Sequence, residues 1–430
     1  MMKNLNRINK ATAVTGLATM VFASCASPSK TPKETNNMQI TKVEKIEKTN
    51  DMDNQYLILS NEQRSAVDCS NAFALNLMRT QTGMDSKVIS PLSVAYLMGM
   101  LANGANGDTQ KEIMAALGMK DMSLQTLNEA YEAIIKTASH LDQQTTINIA
   151  NCIAANKNVS LKADYAKAMG DMYKADVASL DFMSPKALQH INGWCAKQTE
   201  GMIPKIVDNL DPNTTAVLMN AIYFNGTWKK EFDKSETKEE NFRGYTRDIK
   251  RVQMMHNEVK LQYAERDGFA AVNLPYGNEA YMMTVILPNE GKSTTDIFNS
   301  LDTKQLDELR RGMENCIVDL KLPRFSTTTN TNLNGPIAQL GAPSIFQAGK
   351  ADFSNMSNTS MALSAMFQKA KIEVTEEGTK AAAVTAGIMM TSMIHSKPRH
   401  VNFHANRPFI YMITERNSGA ILFMGQYVGE

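Results

Sequence analysis

Residues 374–390 read VTEEGTKAAAVTAGIMM. The run that leads into them, KIEVTEE over residues 371–377, has the β-branched, alternating character of a strand and ends on two carboxylates, Glu376 and Glu377, before Gly378. After the glycine nearly every side chain is small and uncharged, with no helical or strand stripe of its own. Neither a core element nor an ordinary polar loop reads this way.

The surrounding chain is long enough to bury a sizeable core. It has 430 residues, with 45 Lys and Arg against 44 Asp and Glu, a formal net charge of +1. That balance offers no electrostatic footprint for nucleic acid or an anionic membrane surface. The 30 methionines fill core gaps as flexible apolar side chains. At the N-terminus, MMKNLNRINK is a basic region, and ATAVTGLATMVFA is an apolar run too short to span a bilayer as a mature helix. Together they read as an export signal over residues 1–24. The sequence VFASC ending at Cys25 resembles a bacterial lipoprotein signal, which implies a lipidated Cys25 and a chain anchored at the cell envelope or surface; the alternative is a secreted protein. Residues 25–55 are rich in Ser, Thr, Pro, Lys, Glu and Asn and read as a flexible tether. Cys69, Cys152, Cys195 and Cys316 are widely spaced with no CxxC pair, so buried free thiols are expected rather than disulfides or zinc.

From about residue 56 to 430 the chain reads as one domain. SNEQ from Ser60 is a capping-box pattern, and Val67, Phe73, Ala74 and Leu77 recur at helical spacing toward Gly83. Ser90-Pro91 caps a second helix, and Asp108 is expected to cap a third that stops at Gly118. Strand-like runs follow: TTINIANCIAA, AVLMNAIYF, YMMTVILP and CIVDLKLPRF. FIYMITE and AILFMGQYV flank Asn417-Ser418-Gly419 as a closing hairpin. Helices first and strands afterwards argue for an α+β fold.

Catalytic constellations are missing. GxSxG, HExxH and a P-loop do not occur. Ser235 to Lys238 spells SxxK, but its surroundings are charged and no KTG follows, so it reads as a solvated turn. His400 and His404, with His395 nearby, lack an adjacent acidic or cysteine ligand and are not read as a metal site. No cofactor is expected, and the chain is not read as an enzyme.

Blocks along the domain carry a family resemblance: SPLSVAYLMGMLANGANGDTQKEIMAALG, INGWCAKQTEGMIPKIV, LMNAIYFNGTWKKEF, LPYGNEAYMMTVILP, ADFSNMS, EEGTKAAA, FHANRPFIYMI and LFMGQYV. In this order they resemble the serpins. The resemblance implies a single α+β domain with three β-sheets, about nine helices and an exposed reactive-centre loop, acting as a monomer. It further implies that a target serine protease, or a cysteine protease, cleaves the loop and is trapped as a covalent 1:1 acyl-enzyme complex when the loop inserts into the central sheet. Residue by residue, it implies a hinge at Glu377, Gly378, Thr379, Lys380, Ala381, Ala382 and Ala383. Ser90, Ser93 and Asn220 match a polar cluster that controls sheet opening, with Gln368 in place of its usual histidine. Trp228 matches the tryptophan where insertion begins. Because glutamine does not titrate near neutrality, little pH dependence of sheet opening is expected.

The opening stretch can be tested against insertion. A strand alternates its side chains between two faces. Counting from Thr379, one face would carry Thr379, Ala381, Ala383, Thr385, Gly387 and Met389, none charged, while Lys380 falls on the other. Non-inhibitory members tend to interrupt this hinge with bulky, charged or proline residues, which are absent here; the alternative is a serpin scaffold that carries a ligand and is only cleaved. Counting forward from Gly378 gives a scissile bond between Ser392 and Met393, and counting back from NRPF gives one about two residues later, which leaves Thr391 and Ile394 as alternatives. No Lys or Arg lies in TSMIH, so elastase-like or subtilisin-like proteases are expected rather than trypsin-like ones. Met389, Met390 and Met393 share the loop, and their oxidation to polar sulfoxides is expected to slow inhibition.

Overall fold

The computed structural model describes residues 57–246, 249–379 and 398–429. Nine α-helices lie among them: α1 (Asn61–Arg79), α2 (Pro91–Gly104), α3 (Gly107–Ala116), α4 (Leu124–Ala138), α5 (Ala163–Tyr173), α6 (Pro185–Gln198), α7 (Thr294–Ser300), α8 (Thr303–Arg311) and α9 (Asn334–Gln339). The cap of α1 is the box expected of SNEQ, with the Ser60 hydroxyl accepting from Gln63 N while the Gln63 side chain accepts from Ser60 N. The helix ends at Arg79, short of Gly83. Asp108 does not cap α3. Asn106 holds the cap position, and Asp108 lies in the first turn, paired with Lys111 at 2.9 Å, where its charge favours the helix N-terminus.

The strands are β1 (Lys87–Ile89), β2 (Thr145–Asn156), β3 (Ala175–Leu180), β4 (Ala216–Thr227), β5 (Lys238–Arg243), β6 (Ile249–Arg266), β7 (Phe269–Pro275), β8 (Tyr281–Pro288), β9 (Glu314–Pro323), β10 (Phe325–Asn332), β11 (Ala365–Val374), β12 (Gly378–Thr379), β13 (His400–His404), β14 (Phe409–Glu415) and β15 (Ile421–Tyr427). They hydrogen-bond as a six-stranded sheet, β10-β11-β12-β4-β2-β3, and a nine-stranded one running β1-β15-β14-β8-β7-β6-β9-β13, with β5 on β6. The 18-residue β6 makes the second sheet continuous: it pairs with β5 over residues 249–254, with β9 over 254–263 and with β7 over 262–266. The second and third sheets of the expectation therefore share a strand.

Both faces of the six-stranded sheet are covered, and this explains the unbroken apolar run of β4. Leu218, Ile222 and Phe224 face the main core, while Val217, Met219 and Ala221 face a smaller one built on α6 with Ile191, Trp194 and Cys195. Helix α2 is buried along almost its whole length, as its all-round apolar sequence requires. The four cysteines among the described residues are free; Cys152, Cys195 and Cys316 are buried and Cys69 partly so. Among the described residues no helix is long and apolar enough to cross a membrane.

Candidate functional site

At its lower half β11 pairs directly with β4 in parallel, from Ala365 opposite Val217 to Lys369 opposite Ala221. Higher up the two strands part. There the chain reverses after Val374 in a tight turn, with Thr375 N donating to Gly378 O at 2.8 Å, and Gly378 and Thr379 enter between them as β12. Thr379 lies opposite Val374 on one side and Gly226 on the other, both antiparallel. Between the two junctions, residues 370–373 of β11 and 222–225 of β4 have no ladder partner on the edges that face each other among the described residues, while their outer edges pair with β10 and β2.

Gly378 is required twice over. Its φ is +154°, and a Cβ there would stand 2.1 Å from Gly226 O. Thr379 is buried, and its hydroxyl shares a 2.6 Å hydrogen bond with the Tyr276 hydroxyl. Tyr276 in turn stacks on Trp228, with ring centroids 4.4 Å apart and planes 17° apart. Trp228 grips the turn from its other side: its Nε1 donates to Thr375 O and its backbone N to Glu377 O, each at 2.9 Å. Trp228 thus lies against the turn that leads into β12. Tyr276 was not singled out in the sequence, although the aromatic before a glycine in LPYGN was visible.

The two carboxylates of the turn are locked rather than solvated. Glu376 is buried, and its Oε1 accepts from Arg324 at 2.5 Å and from Thr237 Oγ1 at 2.8 Å. Burial works to raise its pKa, but these hydrogen bonds outweigh it and hold the carboxyl below the usual glutamate range. For Glu377 the Lys234 ammonium is the main cause of a similar lowering, opposed by burial and helped by the bond from Thr375 Oγ1 at 2.9 Å.

Below the gap, the structure brings together three of the four polar residues of the opening cluster. Ser90 N donates to Gln368 Oε1 at 2.9 Å, Gln368 Nε2 donates to Ser90 O at 2.8 Å, and Ser90 Oγ donates to Ser93 Oγ at 2.8 Å, all buried. Ser90 heads α2, but its hydroxyl bonds Ser93 rather than a helix N–H. The fourth, Asn220, pairs with Gln368 across the strands, yet its side chain turns to β2, donating to Asn151 Oδ1 at 2.9 Å and Ala150 O at 3.1 Å. Its Oδ1 is buried without a partner among the described residues. Lys380, Ala381, Ala382 and Ala383, the candidate bond residues Thr391, Ser392, Met393 and Ile394, and Cys25 lie outside the described residues.

Ser235 sits in a short turn capped by Asp233, as its charged surroundings implied. No group of His, Cys, Asp and Glu among the described residues has the arrangement of a metal site. What remains is a slot in a sheet, already occupied at its mouth by two residues of the segment that leads into the loop.

A model of the family "Serpin (serine protease inhibitor)" matches residues 68–429. Serpin B6 of Pongo abelii is 32% identical over 372 residues, covering 84% of this chain and 98% of the relative. The leukocyte elastase inhibitor of Homo sapiens is 31% identical over 380 residues, covering 85% and 99%. Among solved structures, that of the thermophilic serpin tengpin in its native state superposes with a TM-score of 0.79 at 27% identity, covering 87% of this chain and 96% of that one.

Proposed function

The chain belongs to the serpin family, and from that premise we propose that it is an irreversible suicide-substrate inhibitor of serine proteases, with elastase-like or subtilisin-like targets. The relatives include named protease inhibitors such as the leukocyte elastase inhibitor, which supports protease inhibition in general. The observation that carries the finer reading is the register of Gly378 and Thr379. Residues adding up to the same register on each side would set Lys380 opposite Glu373 and Asn225, and Thr385 between Gln368 and Asn220. Both sides agree, since Gln368 and Asn220 are themselves paired. An inserted Thr385 would lie on the core face with Thr379 and bring a hydroxyl to the unpartnered Asn220 Oδ1, and Lys380 would meet a carboxylate. The slot and the loop sequence are complementary where mismatch would cost most, because a buried unpaired charge costs several kcal/mol.

In this mechanism the protease attacks a bond within residues 391–395, between Ser392 and Met393 by the forward count. The acyl-enzyme forms on the residue before the bond, and release of the loop's downstream half frees the upstream half to continue β12 through the gap. The protease is carried along and its active site distorted before the ester hydrolyses. The test is a gel: incubation with elastase or subtilisin is expected to give an SDS-stable complex near the summed masses. A fully cleaved chain beside fully active protease would instead mark a substrate or carrier. Mass spectrometry of the released peptide identifies the bond, and cleavage only outside 390–395 contradicts this assignment.

We also propose that Cys25 carries a lipid that tethers the inhibitor to the cell envelope through residues 26–55. Cys25→Ala is expected to move the protein from the membrane fraction to the soluble one, and an unchanged distribution counts against the anchor.

A further inference from the structure

A second polar cluster, remote from the hinge contacts, spans three neighbouring strands of the nine-stranded sheet. His256 on β6 approaches Asp319 Oδ1 with its Nε2 at 2.8 Å, and His404 on β13 approaches Oδ2 with its Nε2 at 3.1 Å. Both histidines lie opposite Lys321 of β9 in the register, so each leans diagonally onto the carboxylate two residues away. About a third of each side chain remains exposed, with 36% for His256, 38% for Asp319 and 34% for His404, so protons reach them freely.

Further charged groups surround the trio. Lys321, between the imidazoles, is taken up by Glu240 of β5 at 2.7 Å. Glu258 of β6 lies opposite Asp319 and faces His400 Nδ1 at 3.8 Å, with Lys260 two residues along the same strand. The carboxylates Asp319, Glu240 and Glu258 outnumber the ammonium groups of Lys321 and Lys260, leaving the patch negative when the imidazoles are neutral. Burial acts to raise Asp319, but its bonds to His256 and His404 outweigh that and hold it below the usual aspartate range. It therefore stays charged across the range where histidine changes state.

The trio holds an element with few other restraints. Strand β13 follows the segment 380–397 in sequence and, among the described residues, pairs on one side only, with β9. Val401 and Phe403 bury its inner face. Its upstream end is fixed by Arg399, which pairs with Glu265 at 3.0 Å and lies 5.8 Å from the Tyr263 ring centre. The other end carries the His404 contact to Asp319.

We propose that His256, Asp319 and His404 form a pH-dependent clasp that fastens β13 to the sheet, tight in mildly acidic medium and looser above neutrality. When both imidazoles are protonated, one carboxylate receives two charge-assisted bonds from two strands. Loss of those protons as pH rises removes the charge assistance, and protonation of Asp319 in strong acid removes it from the other side. Because β13 is the downstream anchor of the loop segment, the clasp sets how firmly that anchor is held in each medium; the clasp itself does not rest on the inhibitory reading.

The experiment is hydrogen exchange by mass spectrometry on the full chain, in the presence of a chelator so that no bound metal contributes. Exchange in residues 399–406 is compared at pH 5.5 and 8.0 after correction for the intrinsic rates. Protection is expected to be about two- to fivefold greater at pH 5.5, the range open to partly exposed ion pairs, with no such change in β14. The difference is expected to vanish in the His256→Gln/His404→Gln protein and in the near-isosteric Asp319→Asn, which decides the matter if the double variant does not fold. Equal protection at both pH values in the unsubstituted protein, or a full difference retained in the folded variants, overturns the proposal. No protease enters the measurement, so its failure and the failure of the inhibitory reading are distinguishable.

Discussion

Asn220 Oδ1 is the atom at which the proposed loop insertion makes its sharpest local prediction. It is buried and unpartnered among the described residues, while the amide nitrogen of the same side chain is satisfied twice. An orphaned buried acceptor costs about 1–3 kcal/mol, and the register offers it the Thr385 hydroxyl after insertion. Thr385→Val is therefore expected to leave the thermal stability of the intact protein unchanged and to lower that of the loop-cleaved protein; equal stabilities of the two cleaved forms would contradict the pairing. Glu376 makes a prediction of opposite location, in the intact state. Its carboxyl titrates lower in the folded chain than in the unfolded one, so its contribution is complete above the ordinary glutamate value of about 4.3 and disappears as pH falls through the lower folded value. Since Arg324 is about half exposed, the pair is worth about 1 kcal/mol rather than several. Unfolding measured from pH 3 to 7 should show Glu376→Gln less stable than the unsubstituted protein near neutrality, with the gap closing in acid. A gap that widened in acid would reverse the sign of this account.

At the scale of elements, the hinge strand β12 is the seed from which the proposed insertion would proceed. Gly378→Ala puts a methyl group against Gly226 O in a conformation that side chains rarely adopt, so β12 should be expelled from the mouth of the slot. The expected result is a stoichiometry of inhibition raised several-fold, with most molecules cleaved as substrate, while association with the protease is little changed. Inhibition at the original stoichiometry would show that the β12 seed is dispensable. Much at this scale was legible in the sequence, because the elements concerned announce themselves locally: the Ser60 box, the doubly covered apolar run of β4, the β14–β15 hairpin and the glycine of the hinge. Strand β6 was not, since it turns alternate stretches to core and solvent and its charged residues break the period. Tyr276 and the His256–Asp319–His404 clasp were hidden for another reason. Their meaning depends on register between strands far apart in sequence, and a buried Glu376 looks like any exposed acid until Arg324 and Thr237 are seen beside it.

For the whole molecule, the central claim of the proposed function is that residues after Thr379 can continue β12 between β11 and β4. A strand continued from Lys380 to Met389 would replace the direct β11–β4 pairing of residues 365–369 with 217–221 by ladders on both of its sides, each added bond worth roughly 1 kcal/mol net, and would bury a row of small side chains as well. In the proposed mechanism that gain belongs to the inserted state alone, so the intact molecule would be held short of its most stable form by the uncut connection to β13. Thermal unfolding before and after limited cleavage within residues 391–395 measures that difference without reference to any particular protease target. The account predicts that the cleaved protein, with its loop no longer tethered downstream, unfolds at a temperature higher by roughly 10–20 °C or more. An unchanged or lower unfolding temperature would show that the loop does not enter the sheet, and would contradict the account.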